Sequence, residues 1–347
     1  MKKTPLMIIV VMLTSITATL AIAGLMFQKE DNEKQNGLSH HFDISSQGTI
    51  AYVSYQKGKP QLHLYNEKLG ISDQAYELDN EHTIVDPSFS QDGSTLAFVA
   101  FPKDLEEEKK MTSKVYLLDL RTKEVTEAFS KEGIIMEVEY SSVKPILFYL
   151  SANTYTNYSP IASKRPHGLD IFQYDLETND HQQVTELEKY SMSSLTVSPN
   201  GEKVYVQMDD DDGVETAEDS FNVHQRIFEI PLDNPTHARI VTNPNREVDI
   251  FTFNLTPTGS DLIFQSIANA EEGGTFEYEL YQFHMNTNEE TQLTNLGEYT
   301  TNPVVTADGK EIYFVVDKKF GQNGEENHLY KMSIDGKGIE EVMLFED

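Results

Sequence analysis

The stretch that decides the fold is Asp86-Pro-Ser-Phe-Ser-Gln-Asp-Gly-Ser-Thr-Leu-Ala-Phe-Val99. It reads as a short strand over residues 88–90, a tight Asp92-Gly93 turn, and a second strand on which Leu96 and Phe98 alternate onto one face. The turn recurs as Ser45-Ser-Gln-Gly48, Ser90-Gln-Asp-Gly93, Ser141-Ser-Val-Lys144, Ser198-Pro-Asn-Gly201, Thr256-Pro-Thr-Gly259 and Thr306-Ala-Asp-Gly309, at intervals of 45, 51, 57, 58 and 50 residues. A period in this range marks a solenoid, a propeller or an array. Every copy but the third ends in Gly, the residue that tolerates positive φ at a hairpin turn. The third copy, with Lys144-Pro145, is degenerate.

Behind each turn stands an alternating apolar pair: Ile50/Tyr52, Leu96/Phe98, Ile146/Phe148, Val204/Val206, Leu262/Phe264 and Ile312/Phe314. A second hairpin follows in each unit, as in Val-Tyr-Leu-Leu-Asp-Leu120 before Arg121-Thr-Lys123. Four antiparallel strands per roughly 50 residues is one propeller blade. The expected fold is therefore all-β: a six-bladed β-propeller of four-stranded antiparallel blades. A β-sandwich also has many short strands, but gives no reason for a fixed order of turns repeated along the chain.

Asp86-Pro-Ser-Phe-Ser-Gln-Asp-Gly followed by Leu-Ala-Phe-Val resembles the repeat of TolB-like β-propellers, as does the strand ending at Leu120 with its Arg121-Thr-Lys turn. The resemblance covers residues 38–347 and is specific for the repeat, not for an activity. In the family's namesake an α/β domain precedes the propeller, and the protein is a periplasmic partner in envelope complexes. Here an apolar N-terminal segment takes that place, so the resemblance does not carry the namesake's own partners.

That segment begins with Lys2 and Lys3 and runs uncharged from Thr4 to Gln28. About 20 apolar residues cross a bilayer, so the run suffices for one transmembrane helix, and the two lysines place the rest of the chain outside. Cleavage as a secretory signal is the competing reading, since Ala21-Ile22-Ala23 resembles a signal-cleavage site. The expected organisation is an anchor or signal helix over 1–28, a flexible tether over 29–40 and the propeller over 41–347. The expected location is the cell membrane, single-pass, with the propeller on the outer side, or secretion if the chain is cleaved after Ala23.

Composition narrows the partners. The 347 residues carry 57 Asp and Glu against 27 Lys and Arg, a net charge of −30, and no cysteine. Phosphate backbones repel such a chain, so no nucleic-acid partner is expected, and the membrane is met only through the N-terminal helix. Lack of cysteine excludes disulfides, thiolate metal sites and a cysteine nucleophile.

Propeller topology sorts the connections onto two faces. Turns between first and second strands, and between third and fourth, are short and share one face. Those between second and third strands are mostly long, at 101–113, 153–169, 209–225, 267–277 and 317–327, and share the other. Long loops on one end of a rigid scaffold are where binding usually resides. The third-blade loop carries Tyr155, Tyr158, Lys164, Arg165 and His167, the aromatic-plus-cation chemistry of protein and peptide interfaces. The ordinary alternative is a surface loop whose rings pack on the rim. The fourth-blade loop carries Asp209, Asp210, Asp211, Asp212 and Glu215. Several carboxylates on a flexible loop suit Ca2+, and no other cofactor is expected. The calcium-loop pattern fails, however, because Met208 falls at its first position when Asp210, Asp212 and Gly213 take the third, fifth and sixth.

No Gly-x-Ser-x-Gly, His-Glu-x-x-His or Gly-Lys-Ser/Thr motif occurs. The expected function is an exported, membrane-tethered propeller that binds an envelope protein or peptide as a scaffold module. The alternative is an exported carbohydrate-active lyase or hydrolase with its site at the tunnel mouth.

Overall fold

The computed structural model describes Thr17 and residues 31–105, 111–157, 164–214, 223–243, 245–271, 274–322 and 324–344. The expected N-terminal helix lies outside the described residues, apart from Thr17. No helix among the described residues is long and apolar enough to cross a membrane.

After a helical turn at Asp31–Lys34, the described residues are all strand and connection. Strands β1(Gly37–Ile44), β2(Thr49–Gln56), β3(Lys59–Asn66) and β4(Ile71–Glu77) form one antiparallel sheet in chain order. So do β5(His82–Phe89), β6(Thr95–Pro102), β7(Thr112–Asp119) and β8(Val125–Glu132). The next sheet holds β9(Ile134–Tyr140), β10(Ile146–Asn157), β11(Lys164–Asp175) and β12(His181–Gln183), and after it comes one of β13(Met192–Val197), β14(Lys203–Asp209), β15(Gln225–Pro231) and β16(Arg239–Ile240). The remaining strands are β17(Ile250–Leu255), β18(Asp261–Ile267), β19(Tyr278–His284), β20(Glu289–Gln292), β21(Tyr299–Val305), β22(Glu311–Asp317), β23(Asn327–Ser333) and β24(Glu340–Glu341). They form an eight-stranded sheet whose halves, β17–β20 and β21–β24, are joined among the described residues by the single parallel strand pairing of Tyr278 and Tyr299. The fold is thus all-β with four-stranded antiparallel units. β1 starts at Gly37, so residues 37–40 belong to the first sheet and not to a tether ending at 40.

The apolar pairs read from the sequence lie on β2, β6, β10, β14, β18 and β22, all buried except the half-buried Ile146. A single sheet cannot cover both of its faces, and stacking on neighbours does so. Ala51, Val53 and Leu62 of the first unit pack with Phe89, Phe98 and Leu118 of the second. Similar clusters join each later unit to the next, and Tyr313, Val315 and Leu329 of the last pack on Phe42, Tyr52 and Tyr65 of the first. Among the described residues no sheet takes strands from both ends of the chain. The seam closes instead on this cluster and on Glu67, which accepts hydrogen bonds from the Tyr313 hydroxyl at 2.8 Å and from Lys331 Nζ at 2.5 Å.

The turn glycines serve the stacking as well as the turn. Gly201 has φ +68°, and a Cβ there would lie 2.2 Å from Cγ2 of Val143, in the degenerate turn of the preceding unit. Ser142 of that turn donates to the carbonyl of Ser198 at 2.7 Å. The degenerate copy is therefore fitted against its neighbour.

On β11 and β19 the residue before a buried aliphatic side chain ties down the chain that leads to the next unit. Asp170, almost fully buried, accepts from Thr185 Oγ1 at 2.8 Å and from the Leu187 amide at 2.6 Å. Glu279 accepts from the amides of Leu296 and Gly297 at 2.6 and 2.7 Å.

Candidate functional site: the long-loop face and the axial ring

Blade three's expected loop is largely strand. β10 and β11 are 12 residues each, against 7 or 8 for the other units' second and third strands, and stay paired out to Asn157 and Lys164. Thr154, Tyr155 and Thr156 are β-branched or aromatic and continue the pleat, so a β-hairpin arm stands up where a loop was expected. The arm brings candidate residues together. Lys164 Nζ lies 4.6 Å from the centre of the Tyr155 ring, and the Arg165 guanidinium lies 4.6 Å from that of Tyr190. The His167 and Tyr190 rings are 6.2 Å apart. Tyr190, from the connection after β12, was not anticipated; nothing local in sequence ties it to the arm. Tyr158 lies outside the described residues.

The acidic stretch beside the arm is partly neutralised by its surroundings. Asp211 forms an ion pair with Lys189, whose Nζ also donates to the Asp209 carbonyl at 3.2 Å. Asp209 accepts from Gln225 Nε2 at 3.3 Å. Burial raises the Asp209 carboxyl above its usual range, while Lys189 and Arg165 pull it down. Among the described residues no group of three or more His, Asp or Glu side chains is arranged to hold a metal ion. Glu215 lies outside them. Titration calorimetry with Ca2+ tests the cation reading, and no heat at millimolar metal would remove it.

An aromatic cluster on the same face also went unread. Phe320 stacks on Tyr299 at 4.3 Å, and Tyr278 meets both edge-on at 5.3 and 4.8 Å, at the junction of the eight-stranded sheet. Phe276 and Phe320 stay 46% and 37% exposed.

The first strands of the units lie innermost, each next to the first strand of the following unit and β21 next to β1. A relay of side chains binds them. Asp43 Oδ2 accepts from the Phe89 amide at 2.7 Å, and Asp86 Oδ2 accepts from Val138 at 2.6 Å. Glu137 accepts from Ser194 and Leu195 at 2.8 and 2.7 Å. Ser194 Oγ accepts from Phe253 at 3.3 Å, and Thr252 Oγ1 from Asn302 at 3.1 Å. Asn302 Nδ2 closes the circuit by donating to the His40 carbonyl at 2.9 Å. Asp86, Ser194 and Asn302 sit at φ +50°, +58° and +49°, within bulges that interrupt their strands' register. The sequence did carry a signal. Asp86, Glu137, Ser194, Thr252 and Asn302 each stand four residues before the Ser or Thr that opens the turn.

Carboxylates crowd one side of this ring. Burial pushes the Asp43 carboxyl up to about 6. It raises Glu139 to about 8, with help from the Asp43 and Glu137 charges. Asp86 is raised well above its usual range by burial and then by Glu137, and Glu137 is raised by burial. All four keep some accessible surface along the axis.

No protein-family model matches the sequence, and no curated protein does. Solved structures do resemble it. TolB from Acinetobacter baumannii superposes with a TM-score of 0.58 at 16% identity, over 92% of this chain and 66% of that one. An oligogalacturonate lyase in complex with manganese gives 0.57 at 14%, over 89% and 77%. The β-propeller domain of the Trilobed protease from Pyrococcus furiosus, described as having an open velcro topology, gives 0.52 at 14%, over 89% and 84%. This chain thus spans about two thirds of the TolB chain. At these identities the likeness establishes the fold: the chain is a β-propeller of four-stranded antiparallel blades, similar to that of TolB.

Proposed function

We propose that this chain is an exported, membrane-tethered scaffold propeller of six blades that binds a protein or peptide of the cell envelope through its long-loop face. The blade count follows from dividing the eight-stranded sheet at its single bridging pair, which gives six units of four strands. The anchor rests on the apolar run from Thr4 to Gln28. The observation that carries the binding reading is the hairpin arm, whose Lys164 and Arg165 lie over Tyr155 of the arm and Tyr190 of the connection after β12. Aromatic rings and arginine are enriched in interface cores, and a β-hairpin presents them at low entropic cost. Crosslinking in intact cells followed by mass spectrometry tests it. Adducts should form with the wild-type chain and fall at least tenfold with K164E/R165E; no partner beyond background would sink the reading.

The likeness to an oligogalacturonate lyase supports a second reading, an exported carbohydrate-active lyase or hydrolase at the tunnel mouth. Incubation with polygalacturonate, with and without Mn2+, separates the two: unsaturated or shortened product favours the enzyme.

A further inference from the structure

The two faces of the propeller are not equivalent with respect to the N-terminus. β1 runs from Gly37 to Ile44 and enters the Ser45–Gly48 turn on the short-turn face, so the chain reaches β1 from the long-loop face. Hydrogen bonds fix that approach. The Gly58 amide donates to the Gln35 carbonyl at 2.9 Å, and the Lys57 amide donates to Asn36 Oδ1 at 2.8 Å. Lys57 and Gly58 form the turn between β2 and β3, the first blade's own contribution to the long-loop face. The arm of blade three and the Phe276–Phe320 region rise from the same face.

From these positions we infer that the long-loop face is turned toward the membrane and that its partner is a protein embedded in that membrane. The inference rests on the reading of residues 4–28 as an uncleaved anchor. With Gln35 and Asn36 held to the first blade, only residues 29–34 remain as spacer. Fully extended, six residues reach about 20 Å, and the helical turn at Asp31–Lys34 shortens that. A span this short leaves no room for a soluble globular partner between face and bilayer, but admits the exposed surface of an integral membrane protein. Lipid headgroups are the poorer occupant. Asp210, Asp212, Glu277 and Glu325 stand on this face, and an anionic bilayer surface repels them. Exposed Phe276 and Phe320, with the cations over rings on the arm, suit a protein surface instead.

The native chain has no cysteine, so single introduced cysteines report without background. Asn153→Cys and Asp212→Cys mark the long-loop face, and Thr258→Cys and Ala307→Cys the short-turn face; all four positions are exposed. The full chain is placed in phosphatidylcholine–phosphatidylglycerol vesicles that carry an acceptor dye on the lipid. Energy transfer from labels at 153 and 212 should exceed that from 258 and 307 at least twofold. Vesicle flotation separates the two ideas under test. A chain that floats but shows equal or reversed transfer overturns the orientation and leaves the anchor standing. A chain that does not float overturns the anchor, and the orientation falls with it. Photocrosslinkers at 153 and 258 in cells then test the partner. Adducts from 153 should be with proteins bearing transmembrane segments; adducts from 153 with soluble proteins or lipid alone would refute the assignment.

Discussion

Replacing Glu139 by Gln should stabilise this protein at alkaline pH and do nothing at acid pH. Glu139 lies on the innermost strand of its blade, accepts the Ser88 hydroxyl at 2.9 Å, and shares the axis with Asp43, Asp86 and Glu137. Its carboxyl is raised from 4.5 to about 8, first by burial and then by the neighbouring carboxylates. A group whose folded pKa exceeds its unfolded value stabilises the fold fully below the unfolded pKa. That contribution is lost as pH climbs through the folded pKa, here between about 4.5 and 8. At about 1.36 kcal/mol per pKa unit, the displacement corresponds to about 5 kcal/mol. Glu139 keeps some accessible surface in the channel, and water there screens part of the charge. We take about 2 kcal/mol as the working figure.

Glutamine keeps an oxygen to accept from Ser88 and cannot ionise, so E139Q escapes the penalty. For a chain of this size 1 kcal/mol moves the melting temperature by about 2 °C, which puts the mutant about 4 °C above wild type at pH 8.5. Below pH 4.5 both side chains are neutral and the curves should meet. Thermal unfolding by circular dichroism from pH 4.5 to 8.5 measures the difference. Comparing mutant with wild type at each pH matters, because a chain of net charge −30 gains stability on mild acidification from reduced general repulsion alone. A constant offset across pH, or destabilisation at pH 8.5, would refute the reasoning. D43N should give a smaller effect that develops between about pH 4 and 6 and then stays constant, since Asp43 is raised only to about 6, and should also lower the Glu139 pKa.

Other consequences follow from the seam and the tie-down bonds. Glu67→Ala removes the acceptor shared by Tyr313 and Lys331 across the closure; Glu67 is partly exposed, so the loss should be about 1 kcal/mol. Hydrogen exchange should accelerate in β1, β22 and β23 before it does elsewhere. Asp170→Ala strands the Thr185 hydroxyl and the Leu187 amide in a buried setting and should cost about 3 kcal/mol by chemical denaturation, with Asp170→Asn recovering part of it. Gly133→Ala should cost about 2–3 kcal/mol, because φ is +103° and the new Cβ would lie 2.8 Å from the Ala152 carbonyl oxygen. A cost below 0.5 kcal/mol would show that the base of the arm yields freely.

The repeat was legible because its information is local. An alternating pair behind a Gly turn marks β2, β6, β14, β18 and β22 from a dozen residues each, and most long connections fell within a residue or two of their expected bounds. The innermost strands were harder to read. Residues 88–90 looked like a short strand, yet β5 runs from His82 to Phe89. Asp86 at φ +50° breaks the two-residue alternation there, and Pro87 reads as a strand breaker. The arm was read as a loop because Thr, Asn and Tyr without buried aliphatics carry no inside–outside pattern; β10 and β11 have no strand partners out there to impose one. The axial carboxylates meet only when the ring closes, since Asp43, Asp86 and Glu139 lie on three different blades.

What the ring adds to the repeated motif is an asymmetry that the turns do not foreshadow. On β1, β5 and β9 the latch side chains are Asp43, Asp86 and Glu137; on β13, β17 and β21 they are Ser194, Thr252 and Asn302. Ser194 and Thr252 accept an amide of the neighbouring inner strand as the acids do, Asn302 donates to a carbonyl there, and none of the three uses an ionisable group. Closing the ring does not require acids. The cost of holding Asp43, Asp86, Glu137 and Glu139 together therefore comes from this chain's choice of residues on one half of the axis, the half that includes the blade bearing the arm. Asp86, first met as the start of a turn motif, is the clearest case. Its carboxylate orders the next blade through the Val138 amide, and that same carboxylate takes part in the repulsion that alkaline pH exposes.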